Sequence, residues 1–163
     1  MSNMAYVPFF LGLLGLFAAW LVFRKIRSYP AGSGRVVELG DLIYRGAMMF
    51  LRREYSFLLI FVLVLAVVIL VSDLGPNTAF AFLVGALTSA TAGYIGMVAA
   101  TRSNVRTTTA AQNHGSDLAL VIAFYGGSVM GLTVAAMGLL GLGLLYIMYG
   151  GDPHTAHIIH GFG

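Results

Sequence analysis

Chemistry needs polar side chains that converge, and this sequence offers three groups of them. Arg102 and Arg106 stand one helical turn apart. Two guanidiniums at that spacing share a helix face. They suit a bidentate phosphate, a lipid headgroup, or a carboxylate on a neighbouring helix. Arg52, Arg53 and Glu54 form a charged collar just before the uncharged run Phe57 to Val71. They read as an interfacial ion-pair collar, with a functional carboxylate at Glu54 as the competing role. His154, His157 and His160 recur at three-residue spacing. Imidazoles are zinc ligands, but Asp152 is the one carboxylate nearby, and Pro153 and Gly161 argue against a helix. A metal site and a polar turn both remain open there. His114 stands alone in a connector and reads as solvated.

Other chemistry is excluded more firmly. The sequence has no Walker-type phosphate loop and no Gly-x-Ser-x-Gly elbow. With no cysteine it can build neither disulfides nor thiolate metal sites. No ionisable residue lies mid-span in any apolar segment, where an ion path would place one. On the residues alone, therefore, no catalytic, cofactor-binding or metal-binding position is assigned.

The elements that position these groups are membrane helices. The chain has 163 residues, of which 59% are hydrophobic and 9% charged, against about one quarter charged in a soluble domain. Its mean hydropathy is +0.90. We expect an all-α membrane protein with four transmembrane helices, at about 4–23, 36–72, 78–102 and 117–149, forming one membrane domain over 1–163. The first apolar segment carries its positive charge after the apolar run, at Arg24, Lys25 and Arg27, unlike a signal peptide. Tyr29 to Gly34 is a turn, with Ser33 as a candidate N-cap. From there Val36, Leu39, Ile43, Ala47 and Phe50 recur at helical spacing. That stretch is either a surface helix at the headgroups or the start of one long helix. The lack of Pro or paired Gly from Asp41 to Val71 favours the long helix.

Asp73 to Asn77 makes a tight turn. The third segment carries Gly85, Ser89 and Gly93 at four-residue spacing, and the fourth carries Gly127, Gly131 and Ala135. Small residues so spaced let helices approach closely in lipid, so these six are the expected packing positions. Residues 101–115 read as a basic connector. Tyr6, Trp20, Tyr146 and Tyr149 suit the membrane interfaces.

All nine Lys and Arg fall between Arg24 and Arg53 or at Arg102 and Arg106. The positive-inside rule then places both basic connectors in the cytoplasm, and the N-terminus and residues 150–163 outside. The same distribution explains the net charge of +3 without nucleic acid as a partner.

Gly46-Ala47-Met48-Met49-Phe50-Leu51-Arg52-Arg53-Glu54-Tyr55 resembles the second-helix signature of membrane-integral pyrophosphatases. Gly93 to Thr101, continuing through Asn104-Val105-Arg106-Thr107, resembles the family's third-helix end. Phe124 to Leu132 resembles its fourth helix. The resemblance implies an ion-translocating inorganic diphosphatase of about sixteen membrane helices, working as a homodimer with Mg²⁺ and moving H⁺ or Na⁺ out through the cell inner membrane. In that family the pyrophosphate-binding Asp, Lys and Glu clusters lie on later helices, so no catalytic residue carries over. The chain is then the first part of such a pump, with Arg52, Arg53, Glu54, Arg102 and Arg106 as interfacial charges, a fifth helix to follow residue 163, and no activity of its own. The alternative is a stand-alone, non-catalytic four-helix assembly subunit. A small transporter using the three histidines is a third reading.

Overall fold

The computed structural model describes residues 6–150 and 156–162. It contains four long helices, α1 (Val7–Ser28), α2 (Arg35–Val71), α3 (Gly75–His114) and α4 (Ser116–Tyr149), and then a 3₁₀ segment, Ala156–Phe162. All four helices are long and apolar enough to cross a membrane. At 1.5 Å per residue, the 37 residues of α2 and 40 of α3 measure about 55 and 60 Å. A hydrocarbon core is about 30 Å thick. Both helices therefore project well past it at the end that carries the arginines, termed here the basic end.

Sequence neighbours are not spatial neighbours throughout. α1 packs on α4, α4 on α3, and α3 on α2, while α1 and α2 make no contact. The order across the sheet of helices is α1–α4–α3–α2. α4 and α3 are consequently central, and α2 is an outer member. It buries Leu51 and Ala66 towards α3 and leaves Phe57, Ile60, Phe61 and Val64 exposed. That distribution is expected where lipid, as apolar as the side chains themselves, is the solvent.

Close approach replaces hydrophobic drive in this setting. Between α1 and α4 the seam is built on Gly12, whose missing side chain leaves room for Leu140 and the Ala136 backbone, and on Gly143, which lies against the Phe9 backbone. Three buried clusters mark the ends of the bundle. Ile26, Ala99 and Val129 join α1, α3 and α4 near the basic end, and Ala110, Ala119 and Ile122 lie beyond them. Ala81, Leu145 and Ile158 close the opposite end beneath the 3₁₀ segment.

Several boundaries differ from the sequence reading. α1 runs on through Arg24, Lys25 and Arg27 to Ser28. Residues 101–114, read as a connector, continue α3 as helix, and Gly115 alone makes the turn to α4 at φ +86°. Only glycine enters that region without strain. Arg and Thr are tolerated in helix, so polarity there signalled the edge of the lipid layer rather than the end of the helix. α2 is one continuous helix through the collar. Its N-cap is Gly34, at φ +61° and without a side-chain cap, in place of Ser33.

Candidate functional site

The polar groups of this chain gather where α2 and α3 project together at the basic end. Arg102 Nη1 lies 3.6 Å from Asp41 Oδ1, and its guanidinium carbon sits 4.1 Å from the centre of the Tyr44 ring. Asp41 and Tyr44 occupy one face of α2 at three-residue spacing, so a single arginine from α3 meets both. This is the one ion pair among the described residues.

One turn further along α3, Arg106 does something different. Its Nε donates to the Tyr29 carbonyl at 3.1 Å, and its Nη1 donates to the Arg102 carbonyl at 2.9 Å. The Thr109 hydroxyl lies 3.0 Å from both the Ala31 and Val105 carbonyls. Arg106 and Thr109 thus hold the turn that follows α1. Gly32, at φ +84°, lets the turn pass directly against Thr109. Arg106 lies beyond the apolar stretch of α3. Burial lowers the pKa of its guanidinium, and the nearby charges of Arg102 and Arg27 lower it further. It remains a cation all the same.

The space among Gly40, Asp41, Tyr44, Arg102, Val105 and Arg106 is about 70 Å³. That is room enough for ordered water. Both arginines are engaged with protein groups, and the arrangement braces three elements against one another. Arg52, Arg53 and Glu54 are exposed on α2, and no ion pair joins them. Consecutive helix positions point in different directions, so the expected pairing within the collar does not form.

The bundle interior buries no Asp, Glu, His, Lys or Arg among the described residues. Its buried polar side chains are Thr78, Thr101, Ser103, Thr109 and Thr133. Each hydroxyl donates to a carbonyl three or four residues earlier, in its own helix or, for Thr78, at the Leu74 N-cap. No group of three His or acidic residues gathers among the described residues to hold a metal ion. Asp41 is paired with Arg102, and of the other described carboxylates Glu38 and Glu54 lie on α2, Asp73 precedes α3 and Asp117 opens α4. His154 lies outside the described residues, as does the side chain of His157, while His160 sits on the 3₁₀ segment.

The six small residues divide into two sets. Gly93 faces the Tyr55 hydroxyl, and Gly85 lies beneath the Phe162 backbone. Ser89, Gly127, Gly131 and Ala135 are exposed, and a Cβ on Gly127 or Gly131 would meet nothing within 4 Å. The tight positions on α4 are instead Gly126, against Ser103, Gly141, against the Phe162 ring, and Gly143, against the Phe9 backbone. Sequence reasoning also missed Gly12 and the hold of Arg106 and Thr109 on the turn. Gly12 and Gly15 at helical spacing on α1 were the available sign. Backbone carbonyl acceptors leave none.

A family model described as inorganic H⁺ pyrophosphatase matches residues 13–163. A K(+)-insensitive pyrophosphate-energized proton pump of Methanosarcina mazei is 38% identical over 164 residues, covering 100% of this chain and 24% of the pump. A putative K(+)-stimulated pyrophosphate-energized sodium pump of Clostridium tetani is 40% identical over 152 residues, covering 93% of this chain and 22% of the pump. A K(+)-stimulated pyrophosphate-energized sodium pump of Thermotoga maritima is 38% identical, with 87% and 20% covered. The chain therefore spans about a quarter of the length of these relatives. Matched along nearly all of its residues, it belongs to the inorganic H⁺ pyrophosphatase family.

Proposed function

We propose that this chain is the N-terminal, outer-ring part of a pyrophosphate-energised ion pump. The whole pump hydrolyses inorganic pyrophosphate to phosphate and moves H⁺ or Na⁺ across the membrane. The observation that carries this reading is the match along 100% of the chain to only 24% of a proton pump. Similarity of comparable strength to a sodium pump leaves the ion open between the two. In this reading Mg²⁺ and pyrophosphate are bound by residues of the larger protein, and this part supplies scaffold. Its outward-facing Gly127, Gly131 and Ala135 pack against other helices of the pump, which works as a homodimer. Four helices of membrane-crossing length support a multi-pass protein, which this reading places in the cell inner membrane, and the positive-inside rule supports an N-terminus outside and a basic end in the cytoplasm.

The test is pyrophosphate hydrolysis with Mg²⁺ by membranes carrying this chain alone, beside membranes carrying the same gene read on past Gly163. Hydrolysis in the longer product only is the expected result. Hydrolysis by the 163-residue chain would overturn it, because Arg102 and Arg106 would then have to leave their protein partners to act on substrate.

A further inference from the structure

The 3₁₀ segment does not lie flat across the end of the bundle. It turns inward between α3 and α4. Ile158 is buried with Ala81 and Leu145. Gly161 abuts Thr78 and Ala81, and Phe162 reaches Gly85 with its backbone and Gly141 with its ring. Thr78, Ala81 and Gly85 are successive turns of α3. At Phe162, then, the chain is heading between the two central helices towards the basic end.

In that direction lies an open groove of about 520 Å³, with Phe162 at its mouth. Its walls include Gly85, Ser89 and Gly93 of α3, and Val134 and Gly138 of α4. Gly85 to Gly93 is about 12 Å of helix axis, or roughly two turns. Two hydroxyls line the groove. Thr88 donates to the Gly85 carbonyl of its own helix, whereas Ser89 has no partner among the described residues. An acyl chain can fill such a groove but cannot bond the Ser89 hydroxyl. A helix backbone or polar side chain can do both.

We propose that this groove is the seat of the membrane helix that follows Gly163 in the longer polypeptide. The helix enters at Phe162 and runs parallel to α3 and antiparallel to α4, with Ser89 and Gly138 at its contact face. The inference rests on the reading of this chain as part of a longer pump, whose relatives carry roughly three quarters of their length outside the matched region. It goes further in assigning one segment to one surface.

Disulfide trapping tests it. Residues 1–163 contain no cysteine, so single cysteines can be placed in a longer product otherwise free of them. Ser89→Cys and Gly138→Cys are each paired with a cysteine scanned through the first turns after Gly163, and oxidised in membranes. Disulfides require Cα atoms within about 7 Å. The expected result is cross-linking to positions recurring every three or four residues, at least roughly tenfold above that of Leu87→Cys, an exposed position of α3 that does not line the groove. Cross-linking of Ser89→Cys to a later helix, or to Ser89→Cys of a second copy, overturns the assignment and leaves the pump reading intact. So does the absence of any cross-link in a product that still hydrolyses pyrophosphate. Cross-links in a longer product that never hydrolyses pyrophosphate uphold the seat and count against the pump. A stop codon directly after Gly163 overturns both.

Discussion

The Nε of Arg106 donates to the carbonyl of Tyr29 at 3.1 Å, joining two residues 77 apart in sequence. Tyr29 is the C-cap of α1, with extended backbone. Its carbonyl belongs to a helix end whose acceptors have no intrahelical donor. A charged donor there is worth about 1.5–3 kcal/mol when fully buried, and less at this partly exposed site. Arg106→Ala should lower thermal stability in detergent and speed proteolysis within residues 29–34. Arg106→Lys should restore less than half, since an ammonium keeps the charge but not the fork that reaches two carbonyls. Full recovery with lysine would show that charge alone matters.

The seam between α1 and α4 gives a second contrast. A Cβ on Gly12 would sit 2.8 Å from the Ala136 carbonyl oxygen, whereas one on Gly46 would meet nothing within 4 Å. Gly12→Val should cost about 1–3 kcal/mol through overpacking and loosen α1 from the bundle. Gly46→Ala should be neutral or stabilising by up to about 1 kcal/mol through helix propensity. Unfolding in mild detergent ranks the two, and equal effects would contradict the packing described.

Much of this fold was legible in the sequence, and the residues show where legibility stopped. The uncharged run Phe57 to Val71 could only be a span, and α2 proved continuous through Arg52-Arg53-Glu54. Hydropathy reports which solvent a residue meets, so it found the lipid layer. It did not find the end of α3, because Thr107 to His114 remain helical beyond that layer. Small-residue spacing marked Gly85 and Gly93, which are covered by Phe162 and Tyr55. It could not say which stripe of α4 faces inward, since Gly126 and Gly127 are both small and only Gly126 meets Ser103. The roles of Arg102 and Arg106 depended on partners in α2 and on a backbone carbonyl. Neither is encoded in their own spacing.

Arg102 bonds two unlike partners, and they should separate by salt. Its ion pair with Asp41 leaves the side chains 42% and 55% exposed, so the pair is worth about 1 kcal/mol or less. Asp41→Asn should have a small effect that disappears at high salt, where exposed charges are screened. Tyr44→Leu removes the stack at 4.1 Å, worth about 0.5–1 kcal/mol at an exposed site, and its effect should persist more strongly in salt. Thermal unfolding at low and high ionic strength measures both. A larger loss from Asp41→Asn at every salt concentration would reverse this ranking.

Within the apolar layer, α2 is held to α3 by a single side-chain hydrogen bond. Tyr55 Oη donates to the Ala90 carbonyl at 2.6 Å. Bonds between membrane helices average about 0.6 kcal/mol and reach about 1.7, so Tyr55→Phe should cost an amount in that range. Gly93 stands beside the same hydroxyl, and a Cβ placed there would lie 2.9 Å from it. Gly93→Ala should therefore push the hydroxyl off its acceptor and cost about as much as Tyr55→Phe. Once Tyr55 is already Phe, the hydroxyl is gone and Gly93→Ala should cost almost nothing. The double variant is then no worse than either single one. A double-mutant cycle by reversible unfolding in micelles measures this coupling, and additivity within about 0.3 kcal/mol would mean the two residues do not share the site.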